Sequence, residues 1–185
     1  MLALARQPER VLGLVVGGTF GWSIKPYRMV VWPLRIFTSL LFRFVNRYTN
    51  LLAWLMGSKS ALGTRSLTKA ERIHYTRPFK SRNSRNRTLK LYSSFLNKTN
   101  QENLDRALDA FRDKPVLIQF GERDAMTRQH WPERWANEIQ NSRTFMLPLV
   151  RHFTFEGAPE ATVNNFRSWW LEMEPIESVR VQTNR

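Results

Sequence analysis

The chain has 185 residues, no cysteine, and 29 basic against 15 acidic side chains, so its formal charge is +14. This length suits one domain of ordinary size, and a composition of 42% hydrophobic and 12% aromatic residues excludes a disordered, collagen-like or low-complexity chain. The absence of cysteine excludes a disulfide framework, a thiolate zinc site and a cysteine nucleophile, and it fits the reducing compartment of a cytoplasmic protein.

The first elements in chain order are the end of a helix and a strand. Residues 2–6 are typical of a last helical turn, which Pro8 would end. Residues 11–16 form an apolar run rich in valine and are followed by Gly17 and Gly18. This pattern predicts a strand that is buried on both faces.

Residues 25–98 predict two or three helices and no strand, which makes them a helical insertion. Residues 29–57 are rich in leucine, phenylalanine, valine and tryptophan, but the longest uncharged run there, residues 48–58, has 11 residues. A spanning helix needs about 20, so we expect no insertion into a bilayer. Apolar residues recur at helical spacing with arginines between them, at Leu34, Phe37, Leu41, Phe44, Val45 and Tyr48. This amphipathic pattern predicts packing within the protein, with a membrane surface as the alternative.

The positive charge is confined to the part of the chain that contains this insertion. Residues 1–98 carry 18 basic and 2 acidic side chains, whereas residues 99–185 carry 11 basic and 13 acidic ones. Residues 77–90 contain six basic and no acidic side chains: Arg77, Lys80, Arg82, Arg85, Arg87 and Lys90. They suggest a weak contact with nucleic acid or anionic lipid, although a solvated surface is the simpler interpretation.

The second half alternates helices and strands. Residues 102–111, 129–139 and 159–171 predict helices, residues 115–120 and 143–147 predict strands, and residues 175–185 predict a frayed tail. The whole order is that of an α/β protein with a parallel sheet. We therefore divide the chain into a core segment at 1–24, the insertion at 25–98, a core segment carrying the candidate site at 99–174, and the tail. Three strands are few for so apolar a sheet, which suggests an incomplete one.

An acid and a base follow the last two predicted strands. Asp124 comes just after the strand at 115–120, and His152 follows the strand at 143–147 after a short loop. The 28 positions between them give room for one crossover helix and a return strand. Because neighbouring loops at the carboxyl edge of a parallel sheet lie side by side, this spacing predicts a His–Asp pair. The three histidines, His74, His130 and His152, are too far apart for a short metal motif, and we expect neither a metal nor another cofactor.

Two segments of the second half resemble the C-terminal part of the α/β-hydrolase superfamily. They are residues 114–124, Lys-Pro-Val-Leu-Ile-Gln-Phe-Gly-Glu-Arg-Asp, and residues 152–160, His-Phe-Thr-Phe-Glu-Gly-Ala-Pro-Glu. Residues 3–22 are similar to the helix and strand that follow the nucleophile elbow in the haloalkane dehalogenase-like and epoxide hydrolase-like branches. The resemblance covers about residues 2–172, and it implies that residues 25–98 are a helical cap.

The resemblance implies that Asp124 and His152 are the acid and base of a catalytic triad. The elbow, Gly-X-Ser/Asp-X-Gly, does not occur in the sequence, and neither Ser23 nor Ser58 has that setting. We therefore expect a truncated hydrolase, inactive as an isolated chain, whose reaction would be dehalogenation, epoxide opening or ester cleavage. A basic binding module is the alternative function.

The resemblance also implies an apolar pocket for a small-molecule substrate. Trp22, Trp32, Phe37 and Trp54 are candidates for its lining, although packing between cap and core is the simpler role for them.

The sequence departs from the family pattern beside both candidate residues. Ala125 stands where proline often follows the acid, and Arg151 stands where glycine often precedes the histidine. An inward Arg151 guanidinium would disfavour the imidazolium, whereas an outward one would change little. Glu122 is an alternative acid.

Overall fold

The computed structural model describes the backbone of residues 4–182 and the side chains of residues 4–173. Within these residues three strands form one parallel sheet in the order β1-β2-β3: β1 Leu14–Val16, β2 Val116–Gly121 and β3 Ser142–Leu147. The α/β class and the parallel sheet predicted from the sequence are confirmed. β1 begins later than expected because Pro8–Arg10 forms a 3-10 turn that the Val11 N–H closes at 3.1 Å from the Pro8 carbonyl oxygen.

The N-terminal helix end is a shorter feature than the sequence predicts. Leu4–Arg6 forms a 3-10 turn rather than the last turn of an α-helix, and residues 1–3 lie outside the described part of the chain. The segment forms only one tight turn because Pro8 begins the next 3-10 turn two residues later.

Four helices accompany β2 and β3, at α8 Lys98–Asp109, α9 Trp131–Glu138, α10 Thr154–Gly157 and α11 Pro159–Gln182. α8 starts four residues before the predicted helix because the Asn97 side chain accepts a hydrogen bond from the Asn100 N–H at 3.2 Å. The helix predicted at residues 159–171 is longer in the structure, because the backbone of α11 is helical from Pro159 to Gln182 and includes most of the predicted tail. Residues 183–185 lie outside the described range.

The insertion between β1 and α8 is helical, and within the described residues it contains no strand. Its seven helices are α1 Arg28–Thr38, α2 Leu40–Thr49, α3 Leu51–Met56, α4 Lys59–Leu62, α5 Lys69–Thr76, α6 Arg82–Arg85 and α7 Arg87–Phe95. Polar residues set the breaks: Ser39 caps α2 by accepting from the Phe42 N–H at 3.2 Å, and Asn50 ends α2 in the left-handed conformation.

The apolar stretch at 29–57 is therefore divided among three helices. In the described part of the chain no single helix is long and apolar enough to cross a membrane. α1 and α2 reach that length and composition only when taken together, and their axes are bent by 63° relative to each other.

The core lies around β2, whose six residues are all buried. On one face Val116, Ile118 and Phe120 belong to a buried cluster that also contains Trp131 and Trp135 of α9. The cluster attaches the insertion to the sheet, because Val30 of α1 belongs to it and Leu34 packs against it.

A polar contact joins the sheet to α11. The Gln119 side chain of β2 is 1% exposed, and its carbonyl oxygen accepts from the Asn165 side-chain amide at 3.2 Å. Buried polar groups of this kind are stable only when they are hydrogen-bonded. The contact fixes the position of α11 beside β2.

The edge of β1 predicts a tendency to self-associate. Among the described residues β1 pairs with β2 alone, and Val15 on β1 is 40% exposed. An unprotected edge strand can pair with another chain, and a lysine on the edge opposes such pairing. The V15K variant should therefore lower the light scattering of a concentrated solution. Val163→Lys on α11, which replaces a valine that is 47% exposed, is the matched control. Equal scattering by V15K and the unchanged chain would exclude edge pairing.

Candidate functional site

Asp124 and His152 meet at the carboxyl edge of the sheet. Asp124 follows β2 and His152 follows β3, and these two strands are parallel neighbours. The His152 ring nitrogen Nδ1 lies 3.1 Å from Asp124 Oδ2, within hydrogen-bonding distance. The structure thus brings together the two residues that the sequence pairs.

The loop after β2 holds the Asp124 carboxylate in place. The second oxygen, Oδ1, accepts from the Met126 N–H at 3.0 Å, and the backbone N–H of Asp124 donates to the Gly121 carbonyl oxygen at 3.1 Å. The Asp124 residue is 3% exposed, whereas Glu122, the alternative acid, is exposed. Asp124 is therefore the carboxylate that meets the imidazole.

The insertion holds the loop that carries His152. The N–H groups of Arg151 and His152 donate to the carbonyl oxygens of Leu62, at 3.0 Å, and Ala61, at 3.2 Å, both on α4. The Arg151 guanidinium donates to the Ser60 carbonyl oxygen at 3.1 Å, and the residue is exposed. The sequence left open whether the Arg151 guanidinium points inward or outward. In the structure it points outward.

Three glycines allow the backbone segments around the pair to approach each other. A Cβ atom on Gly121, the last residue of β2, would lie 2.3 Å from the Arg151 carbonyl oxygen. One on Gly18, which has a φ of +54°, would lie 2.6 Å from the His152 carbonyl oxygen. One on Gly63 would lie 2.3 Å from the Leu149 carbonyl oxygen. The sequence analysis did not identify these glycines as positioning residues. At Gly18 the pair of glycines after the predicted strand was a usable signal.

The exposure of the two side chains suits a base that is held by a buried acid. The His152 side chain is 41% exposed, and that of Asp124 is 3% exposed. With Nδ1 facing Asp124, the other ring nitrogen, Nε2, remains to accept a proton from an external group. A carboxylate at Nδ1 fixes the tautomer in which Nε2 is the basic atom and stabilises the imidazolium that forms.

A cavity of about 190 Å³ lies between the insertion and the residues that follow His152. Its lining is mainly apolar and consists of Asn50, Leu52, Ala53, Met56, Gly57, Leu62, Leu67, Tyr75, Phe79, Arg85, Thr88, Tyr92, Phe153 and Glu156. Phe153 directly follows His152 and stacks edge-on against its ring, with the ring centroids 4.9 Å apart. The cavity is thus one side chain away from the imidazole.

One polar contact closes the wall of this cavity. The Tyr75 hydroxyl donates to Glu156 Oε1 at 2.5 Å. This hydrogen bond, together with burial, raises the pKa of Tyr75 above its ordinary value. A tyrosine is neutral at physiological pH even at its ordinary pKa, so the phenol can donate to the carboxylate.

None of the four aromatic residues suggested for the pocket is part of the cavity lining. Trp22 is 1% exposed and packs against Trp131 and Trp135, with ring centroids 5.6 and 5.1 Å away. Phe37 packs against Phe42 at 5.1 Å. Trp32 and Trp54 are 53% and 56% exposed.

The two serines that could be considered as nucleophiles have structural partners. The Ser23 hydroxyl donates to the Gln101 side-chain oxygen at 2.7 Å, and the Ser58 hydroxyl donates to the Leu55 carbonyl oxygen at 2.6 Å. No contact places either hydroxyl beside His152.

Comparison with solved structures identifies the fold. Neither protein-family models nor curated protein sequences give a match. Haloalkane dehalogenase DbeA from Bradyrhizobium elkani is 21% identical, with a TM-score of 0.81 over 95% of this chain and 64% of that protein. Haloalkane dehalogenase DatA from Agrobacterium tumefaciens is 16% identical, with a TM-score of 0.73 over 93% of this chain and 62% of that protein.

These similarities confirm the fold that the sequence resemblance implied. The chain has the fold of the C-terminal part of the haloalkane dehalogenases, which belong to the α/β-hydrolase superfamily. It spans about 64% of the length of DbeA. The TM-scores of 0.81 and 0.73 establish the fold. At sequence identities of 21% and 16% the function has to be argued from the site itself.

Proposed function

We propose that this chain, which has the α/β-hydrolase fold, carries the acid and the base of a hydrolase that acts on a small apolar substrate. Asp124 is the acid and His152 the base, and dehalogenase-like or epoxide hydrolase-like chemistry fits best. The observation that carries the proposal is the 3.1 Å contact between His152 Nδ1 and the buried Asp124 carboxylate. A surface histidine without a role in catalysis would not need a buried carboxylate to orient it.

The proposed roles of the two residues follow from acid–base chemistry. His152 Nε2 takes a proton either from a serine hydroxyl or from the water that hydrolyses an aspartyl ester. The imidazolium then carries the positive charge, which Asp124 stabilises through Nδ1–H without itself being protonated. His152 and Asp124 alone are compatible with both nucleophiles, so the nucleophile decides which reaction occurs.

We propose that the insertion is the cap over the substrate. Two contacts support this role: α4 holds the backbone of the His152 loop through Ala61 and Leu62, and the apolar cavity is separated from the imidazole by Phe153. A small apolar molecule would gain free energy by leaving water for such an apolar cavity. The pocket would therefore be lined by α3, α5 and α7 rather than by the four aromatic residues first considered.

The printed sequence contains no Gly-X-Ser-X-Gly or Gly-X-Asp-X-Gly segment. We therefore propose that these 185 residues have no hydrolase activity unless a nucleophile is supplied by further sequence. An acid and a base without a nucleophile give no covalent intermediate.

The experiment that tests the proposal begins with the DNA upstream of the Met1 codon. We expect an open reading frame that encodes Gly-X-Asp-X-Gly at the elbow, or Gly-X-Ser-X-Gly in an esterase. The extended protein should hydrolyse members of a panel of short haloalkanes, epoxides and nitrophenyl esters, whereas the 185-residue chain should not. An extended protein that hydrolyses none of these classes, or a 185-residue chain that does, would contradict the proposal.

A further inference from the structure

Two neighbouring helices of the insertion expose an unusual amount of apolar side chain. We define the α1–α2 stripe as Met29, Trp32, Ile36, Leu40, Leu41, Phe44 and Tyr48. Each of these residues is between 50% and 84% exposed. Within α1, Met29, Trp32 and Ile36 are three or four residues apart, and within α2 the same is true of Leu40, Phe44 and Tyr48. This spacing places each set on one face of its own helix, although the two helix axes are bent by 63°. Exposed apolar faces on neighbouring helices mark an interaction site.

The opposite faces of the same two helices are anchored in the protein. Val30 of α1 is buried in the core cluster. Asn46 of α2 is fully buried, donates to the Arg85 carbonyl oxygen at 3.0 Å, and accepts from the Leu52 N–H at 2.8 Å. The helices are thus fixed in orientation, and the exposure of the stripe follows from their packing.

Arginines border the stripe, and neither α1 nor α2 contains a carboxylate. Arg28 and Arg35 lie within roughly 60° of Trp32 around the axis of α1, at about 100° per residue, and Arg47 has the same relation to Phe44 on α2. All three are exposed. Between Glu9 and Glu71 the sequence contains no acidic residue.

The basic stretch at 77–90 continues this border. The Arg82 guanidinium lies over the ring of Tyr48, 4.8 Å from its centroid. Arg77, Lys80, Arg87 and Lys90 are exposed as well. Arg85 differs from the prediction, because it donates to the carbonyl oxygens of Arg47, Tyr48, Phe79 and Lys80. It therefore holds α2 and α6 together instead of serving as a surface contact.

We propose that the α1–α2 stripe docks on an anionic lipid surface, with its apolar side chains in the interface and the bordering cations on the headgroups. An interfacial helix has this combination of an apolar stripe and flanking arginines. A second copy fits less well, because a symmetric contact would set the arginines of one chain against those of the other. Nucleic acid would attract the cations but leave the apolar side chains in water. This inference does not use the acid–base pair, but it rests on the stripe staying uncovered by the further sequence that the proposed function requires.

The test uses the 185-residue chain and vesicles of phosphatidylcholine, with or without an equal part of phosphatidylglycerol. We expect flotation with the anionic vesicles at low salt and less at high salt. Leu40→Gln with Leu41→Gln should weaken partitioning at least about tenfold. Arg35→Gln with Arg47→Gln should weaken it about thirtyfold on anionic vesicles. Val163→Gln with Leu171→Gln, which replaces exposed apolar residues of α11, is the matched control.

Four results would overturn the proposal. The first is no flotation at low salt, and the second is an equal loss of binding in the α11 control. The third is retention on vesicles through alkaline carbonate extraction, which would indicate a spanning segment. The fourth is binding to duplex DNA without binding to vesicles. Dimerisation that depends on Leu40 and Leu41, without vesicle binding, would assign the stripe to a second copy. Unchanged circular dichroism spectra of the variants show that they fold.

Discussion

Replacing His152 by alanine is expected to lower turnover by the extended, nucleophile-containing protein at least about 10³-fold. The reason is that Nε2 of His152 is the group placed to take the proton in the step that needs a base. The imidazole is 41% exposed, so the substitution leaves no buried cavity and should cost little stability. Steady-state hydrolysis of the best substrate in the panel is the measurement.

The same variant identifies the nucleophile by its first turnover. An aspartate nucleophile needs no deprotonation, so His152→Ala should still release one equivalent of leaving group and then stop with the ester intact. A serine nucleophile needs the base in the first step, so no such burst should occur. Rapid-quench analysis of product against enzyme distinguishes these two outcomes.

Asp124→Asn tests the orienting role of the carboxylate. An asparagine amide can still accept from the Met126 N–H but would donate to Nδ1, which places the His152 proton on Nε2. We expect a loss of about 10⁴-fold with the fold intact. Glu122→Gln and His74→Ala are the matched controls, since both residues are exposed. Turnover by His152→Ala or Asp124→Asn equal to that of these controls would remove the pair from the mechanism.

Gly121→Ala is expected to lower the stability of the fold and to change the geometry of the site. An added Cβ would lie 2.3 Å from the Arg151 carbonyl oxygen and 2.4 Å from that of Val150. Both neighbours are backbone atoms, so they cannot turn away as a flexible side chain would. We expect a loss of about 1–3 kcal/mol in the free energy of unfolding, because the loop before His152 must move away from β2.

Urea denaturation measures this loss, and activity of the extended protein reports the separation of Asp124 from His152. Glu122→Ala changes the next residue, which is exposed, and serves as the control. Stability and activity of Gly121→Ala within error of that control would show that the loop yields without cost.

Much of the fold was predictable because it depends on local patterns. A continuous apolar run gave the position of β2, a short strand was predicted at the position of β3, and the alternation of strands with helices gave the parallel sheet. The ends of elements were harder to predict because side-chain caps decide them. Asn97 and Ser39 set the starts of α8 and α2, and a capping side chain changes a boundary without changing the apolar pattern.

The sequence by itself determined which carboxylate and which imidazole meet. Each follows a predicted strand, and parallel neighbours end at the same edge of the sheet, so chain order was sufficient to pair Asp124 with His152. Which aromatic residues line a cavity was decided only by the tertiary structure. The composition of a helix does not state which face the rest of the chain covers, so Trp22 is buried while Trp32 is exposed.

The same physical reason applies to the glycines and arginines around the site. Gly121, Gly18 and Gly63 are required by contacts with residues at least 29 positions away, and such contacts leave no local periodicity. Arg85 and Arg82 are three residues apart in one basic stretch, yet one donates to backbone carbonyl oxygens and the other lies over Tyr48. Local patterns therefore specify elements, whereas close approach between distant segments specifies the site.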